Sequence, residues 1–261
     1  ELENVSYTYP GGYEAVRGIN LSFELGESVA IIGQNGAGKT TTVKLMNGLL
    51  KPTEGEVLVN GLSIKTSTTA QASKYVGYVF QNPDDQIFQE TIFKEIAYGL
   101  ISKKLGSKVV QQRVYEAAEL CGLEKLLDEH PYNLPYSKRK FVTIAAIIAM
   151  DTNVIILDEP TAGQDRKSTE LLGEIIRKLA EKNKTVITIT HDMEFVAREF
   201  NRVIVFSDRE KRKDDSPEKI FWDESLLEMA NLKQPYICRL AKKLGYTDVM
   251  TIEDLLERKF T

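Results

Sequence analysis

The residues Gly33-Gln34-Asn35-Gly36-Ala37-Gly38-Lys39-Thr40 fit the spacing G-x-x-x-x-G-K-[ST], and the chemistry of that spacing is anion capture. Glycines at these places let the backbone curl until successive N–H groups face one centre, where a side chain would block a phosphate. Amides around Asn35, Gly36 and Gly38 then cradle phosphate oxygens, Lys39 reaches the outer phosphates, and the Thr40 hydroxyl ligates magnesium. Thr41 follows in the first turn of a helix running through Met46, whose N-terminus adds its dipole to the anion field. The apolar run Val29-Ala30-Ile31-Ile32 comes just before the loop, so strand, loop and helix stand in the order the mechanism needs. The expected ligands are ATP and magnesium, and a glycine-rich turn with a chance lysine does not account for a full-length match.

A second string supplies what hydrolysis requires. Val154-Ile155-Ile156-Leu157 reads as a buried parallel strand and ends directly in Asp158-Glu159-Pro160. In a parallel α/β sheet the carboxyl ends of the strands are where ligands bind. Asp158 is therefore the candidate for the magnesium shell and Glu159 the candidate base for a water attacking the terminal phosphate in line. His191, one of only two histidines, follows the β-rich run Thr185-Val186-Ile187-Thr188-Ile189-Thr190 and so stands at another strand tip. His130 lies in the polar stretch Asp128-Glu129-His130-Pro131 and reads as an ordinary surface residue.

The elements that must position these groups follow from periodicity. A β-rich edge is expected from 2–9, 19–23 and 56–59 with an Asn60-Gly61 turn. Strands at about 29–32, 76–80, 154–157, 186–189 and 203–206 alternate with helical patterns such as 169–180. That is the pattern of an α/β fold with a mainly parallel central sheet. Between 84 and 150 strand signals vanish, and helical stretches at 91–100, 107–121 and 138–150 predict an inserted helical subdomain. The chain is thus divided as 1–83 and 151–215 for the ATPase core, 84–150 for the helical subdomain and 216–261 for a short helical C-terminal extension. The charged run from Asp208 to Asp215 is expected to be a solvated loop.

Composition sets outer limits. A chain of 261 residues can bury a substantial core, and a net charge of -4 with 28% charged residues carries no footprint for nucleic acid. No apolar stretch approaches the roughly 20 residues that span a bilayer, so membrane association is expected through a partner. Cys121 and Cys238 are widely separated, as suits reduced thiols in a cytosolic compartment. No signal peptide is visible. The sequence opens on Glu1, and the numbering is expected to begin just inside the encoded start.

With these motifs in this order, the chain resembles the nucleotide-binding subunit of an ABC transporter, a P-loop NTPase. The resemblance adds roles to further residues. Tyr7-Thr8-Tyr9-Pro10 is similar to the loop whose ring stacks on adenine, which points to Tyr9. Gln81, after Tyr75-Val76-Gly77-Tyr78-Val79-Phe80, matches the glutamine that touches magnesium or the attacking water and senses the membrane partner. Thr161-Ala162-Gly163-Gln164-Asp165 resembles the loop that crosses to a second subunit, and His191 matches the histidine that contacts the terminal phosphate. Gln81-Asn82-Pro83-Asp84-Asp85-Gln86-Ile87-Phe88 resembles the extended loop of energy-coupling-factor (ECF) and cobalt importer ATPases. The tail from Leu232 resembles the extension of the same group. Its members work in pairs beneath a transmembrane coupling subunit and a substrate-capturing membrane protein. The resemblance therefore implies a peripheral protein at the cytoplasmic membrane face that drives import of a vitamin or transition-metal ion. Ile87 and Phe88 are expected to be exposed and to dock a helix of the membrane subunit.

One segment departs from the family. Where it has Leu-Ser-Gly-Gly-Gln, whose serine and amides clamp the ATP of the opposite subunit, this chain has Leu134-Pro135-Tyr136-Ser137-Lys138. Pro135 removes a backbone donor and Tyr136 fills space a glycine leaves open. A heterodimer with a second ABC ATPase bearing an intact clamp is therefore expected. Two other readings are a soluble ABC protein acting on ribosomes or DNA, which tandem cassettes or a coiled-coil insertion would favour, and a small-molecule P-loop kinase, for which Glu159 and His191 would be superfluous.

Overall fold

The computed structural model describes residues 1–259. Two sheets share the work. Strands β1 (Leu2–Thr8), β2 (Glu14–Leu21), β4 (Glu54–Val59) and β5 (Leu62–Ser63) form an antiparallel sheet in the order β2-β1-β4-β5. The second sheet has six strands in the order β10-β9-β3-β8-β7-β6. They are β3 (Ser28–Gly33), β6 (Val76–Val79), β7 (Val154–Asp158), β8 (Thr185–Ile189), β9 (Arg202–Ser207) and β10 (Glu210–Asp215). All neighbours are parallel except β9 and β10. Because β3, β6, β7 and β8 run the same way, the residues after Gly33, Val79, Asp158 and Ile189 all leave the sheet at one edge.

The helices between the strands are α1 (Lys39–Met46), α2 (Thr69–Ala72), α3 (Ile92–Ser102), α4 (Ser107–Leu120), α5 (Tyr136–Ala149), α6 (Arg166–Glu181) and α7 (Met193–Glu199). Four short ones follow: α8 (Pro217–Phe221), α9 (Glu224–Met229), α10 (Tyr236–Lys243) and α11 (Ile252–Lys259). The expected β-edge, parallel sheet and group of helices are present, with α3, α4 and α5 packed together through Ile96, Leu100, Val114 and Phe141. Side chains of Val79, Leu157 and Val186 join the same core, while Ile31, Ile156 and Ile189 face the antiparallel sheet. The alternation along each strand therefore gives the central sheet two buried faces.

Two expectations fail. The run from Asp208 to Asp215 turns tightly at Asp208 and Arg209, both at positive φ, and returns as β10 along β9. Its charges are paired: Arg202 with Asp214, Lys213 with Asp223 and Arg212 with Glu210. An edge strand tolerates such residues because half its side chains face water. Ile87 is buried at 5% exposure in the helical core, whereas Phe88 is 61% exposed and meets Tyr98 edge-on at 4.7 Å.

Both cysteines are buried, and burial pushes the Cys238 thiol up to about 12. Among the described residues no helix is long and apolar enough to cross a membrane.

Candidate functional site

The loop between β3 and α1 is built around close approaches. Gly38, at φ 99, passes so near Ala15 that a Cβ would lie 2.5 Å from its carbonyl oxygen. Gly33 is as tight against Phe206, at 2.3 Å. No side chain fits at either place, so the glycine spacing is a steric requirement of this loop. The loop borders a cleft of about 580 Å³ that is also lined by Gln81, Glu159 and His191. Asn35, Gly36, Gly38, Lys39, Thr40 and Thr41 all face it. Four strand ends thus bring to one place nine of the eleven residues expected from the sequence, leaving Tyr9 and Asp158 off the wall.

Lys39 is buried and its Nζ donates to the carbonyls of Gly33 at 2.6 Å and Gln34 at 3.0 Å. Burial lowers its affinity for the proton, and the charges of Glu159 and Asp158 oppose that. Its ammonium is held at the mouth of the loop, ready to exchange two neutral carbonyls for phosphate oxygens. Thr42 closes the first turn of α1 by donating to the Gly38 carbonyl at 2.9 Å.

Glu159 sits at φ 47, in the left-handed region that non-glycine residues rarely adopt. Its own N–H donates to Ile189 at 2.8 Å, and its carbonyl accepts from Ala162 at 3.2 Å, which over-determines the strained backbone. Burial lifts the Glu159 carboxyl to about 7, against the pull of Lys39 and of the His191 amide. His191 Nε2 lies 3.1 Å from Glu159 Oε1, and the His191 N–H donates to Oε2 at 3.3 Å. Burial also lowers the His191 pKa, with Lys39 acting in the same direction. A carboxyl tuned near neutrality, oriented by a neighbouring imidazole and facing a phosphate loop, can take a proton from water.

Asp158 stands one layer behind, 3% exposed. Its Oδ2 accepts from the Tyr78 hydroxyl at 2.6 Å, and its Oδ1 is buried with no partner in the protein. An orphaned carboxylate oxygen next in sequence to Glu159 on the cleft wall fits magnesium, a hard cation that usually takes one or two carboxylates together with substrate phosphates. Among the described residues no cluster of three or more His, Cys, Asp or Glu is arranged to hold a metal by itself.

Tyr9 and Tyr13 form a stacked pair, with centroids 6.5 Å apart and planes 29° from parallel. Tyr9 is half-buried and its hydroxyl meets the Thr41 hydroxyl at 3.2 Å, while Tyr13 lines the cleft with the Arg209 guanidinium 4.9 Å from its ring centre. Tyr13, Tyr78 and Lys140 are the residues that sequence reasoning missed. Lys140 is fully buried on α5, and its Nζ donates to the carbonyls of Phe80 and Gln81. Burial lowers its pKa to about 8, and the charges of Asp158 and Glu159 hold it up. The only local signal was a lysine before the apolar run from Phe141 onward, which reads equally well as a surface residue. His130 accepts from the Tyr132 N–H through Nδ1 in a short loop, away from the cleft.

The departing segment is equally well defined. Pro135 caps α5 without a side-chain hydrogen bond, and Tyr136 packs near Gly163. Gln164 donates to the Ser137 carbonyl at 3.2 Å. Arg139 pairs with Asp84 at 2.6 Å and lies over the rings of Tyr132 and Tyr136.

The ABC transporter family pattern matches residues 16–162. The energy-coupling factor transporter ATP-binding protein EcfA of Methanocaldococcus jannaschii is 38% identical over 255 residues, covering 97% of this chain and 91% of that protein. The solved structure of cbiO1 from Clostridium perfringens, part of the ABC transporter complex cbiONQ, superposes with a TM-score of 0.80 at 30% identity, covering 94% of this chain and 97% of the other. A dimeric ATP-binding cassette in a post-hydrolysis state, bound to ADP and Pi, superposes with a TM-score of 0.76 at 29% identity over 83% of this chain and 97% of its own. Likeness of this extent, over a sheet edge already equipped for a nucleotide, makes the chain a member of the ABC transporter family, an ATP-binding subunit and an ATPase with ECF-type relatives.

Proposed function

We propose that this chain couples ATP binding and hydrolysis to solute uptake, as one of two unlike ATPases beneath a transmembrane coupling subunit and a substrate-capturing membrane protein. The observation that carries the reading is the contrast between a complete nucleotide edge and a segment 134–138 in which Pro135 has no N–H to offer and the Tyr136 ring rests near Gly163. Lys39 and the loop amides bind the phosphates, and the Tyr9–Tyr13 pair offers an aromatic platform for adenine, worth about 1–3 kcal/mol per stacked base. Thr40, Asp158 and Gln81 would hold magnesium. When bound, the cation neutralises charge developing on the outer phosphates. Glu159 takes the proton of the attacking water as the bond between the terminal phosphorus and the ADP oxygen breaks, while His191 orients Glu159 and faces the leaving charge.

Coupling to the membrane is assigned to the segment 82–88. Pro83 and Ile87 are buried anchors, and Phe88 stands out against Tyr98, presenting an apolar edge in the segment that follows Gln81. The names of its relatives support ECF-type transport, and a vitamin or a transition-metal ion is the solute proposed here, with the protein peripheral at the cytoplasmic face.

Purification from membranes under mild detergent tests the reading. Recovery of this chain with a second, different ATPase and integral membrane subunits is the expected result. Full transporter-level ATPase activity from the chain alone, with ATP-driven self-dimerisation, overturns the heterodimer.

A further inference from the structure

Tyr78 lies in β6, three residues before Gln81, and its side chain is 8% exposed. In the parallel β6–β7 ladder Tyr78 is registered with Ile156, and Asp158 follows two residues later. Alternation along a strand puts Ile156 and Asp158 on the same face, so the Tyr78 ring leans along that face and its hydroxyl meets Asp158 Oδ2 at 2.6 Å. The other oxygen, Oδ1, is left buried without a protein partner.

A side chain kept only to fill the core at this place needs no hydroxyl, since Phe80 packs beside the same ring at 5.1 Å without one. The hydroxyl instead removes one torsional freedom from the carboxylate. Carboxylates that ligate metals depend on such outer partners, whose loss typically costs about 10–100-fold in metal affinity or activity.

We propose that Tyr78 is a positioning residue for the magnesium carboxylate: its hydroxyl fixes Asp158 Oδ2 so that Oδ1 is the oxygen presented to the cation at the outer phosphates. This rests on the role given to Asp158 above. Because β6 runs directly into Gln81, one strand then governs both the carboxylate and the glutamine at the cation.

The test is a magnesium titration of the full chain with a non-hydrolysed ATP analogue, read by calorimetry. Tyr78→Phe should raise the magnesium concentration for half-maximal tight binding about tenfold while changing magnesium-free nucleotide affinity less than about twofold. On an Asp158→Asn background the same change should add nothing. Tyr78→Leu, which keeps an apolar side chain in the core, should match Tyr78→Phe. A Tyr78→Phe titration that overlays the wild type, or a shift of equal size on the Asn background, overturns the proposal and leaves Asp158 in place. An Asp158→Asn titration that overlays the wild type removes the role of Asp158 itself and the proposal with it.

Discussion

At residues 33–40 the backbone turns its amides toward an open cleft, while at 134–138 it turns toward its own chain. Both segments precede a helix, α1 in one case and α5 in the other, so both have the helix N-terminus that favours an anion. Glycines separate their fates. Gly36 and Gly38 keep the first loop free of side chains where phosphates must enter. In the second, Pro135 carries no N–H and the Tyr136 ring rests near Gly163, with the Ser137 carbonyl occupied by Gln164. A helix dipole alone does not make a phosphate site; the amides must exist and the space before them must be empty.

The largest expected effect sharpens the first half of that comparison. In the assembled complex Glu159→Gln should retain ATP binding and slow hydrolysis by about 10²–10⁴-fold, the usual worth of a positioned base. Undiminished turnover in a steady-state assay would remove Glu159 from the chemistry. Lys39→Ala should weaken nucleotide binding by about 10–100-fold, since hydrogen bonds to charged groups contribute about 1.5–3 kcal/mol. Equal affinity by calorimetry would mean that Lys39 remains on the Gly33 and Gln34 carbonyls when nucleotide is present.

The comparison can also be broken from the other side. Rebuilding residues 134–138 as Leu-Ser-Gly-Gly-Gln should raise the ATPase rate of the isolated chain about tenfold, below the 10²–10³ contributed by a single well-aimed oxyanion donor because the partner surfaces are unchanged. If the rebuilt chain hydrolyses no faster and does not self-associate with ATP, the clamp is not what limits it.

The smallest effect concerns pH. Glu159 has its pKa raised to about 7 in the fold against 4.5 as the reference, so its ionisation costs stability that grows as pH rises from 4.5 and levels off above 7. In the absence of magnesium and nucleotide, Glu159→Gln should therefore melt above the wild type at pH 8, by up to roughly 10 °C at about 2–4 °C per kcal/mol for a chain of this size, with the difference vanishing below pH 4.5. A gain that is constant with pH would assign the stabilisation to packing rather than charge.

The phosphate loop, Asp158-Glu159 and the strand tips were legible because each motif is local: its residues are neighbours in sequence, and its strand carries an unbroken apolar run. β10 was not, because charged residues such as Glu210, Lys211 and Arg212 carry no alternation and only pairing with β9 makes them a strand. Ile87 looked like the twin of Phe88, but the short turn from Pro83 to Asp85 swings the first inward and the second outward. Tyr78 and Lys140 escaped for a different reason. Each acts on a residue tens of positions away, Asp158 and Gln81 respectively, and no spacing rule within one element announces such a contact.

Lys140 joins α5, whose first turn is the departing clamp, to the carbonyls of Phe80 and Gln81 where β6 gives way to the glutamine loop. Its ammonium is buried and forms no ion pair among the described residues, so those carbonyls are what solvate it. Sliding the loop away from the helix by an ångström or two would strip a buried charge of its partners, a cost of several kcal/mol. Moving the loop together with the helix carries no such cost, so the lysine works as a hook between the two.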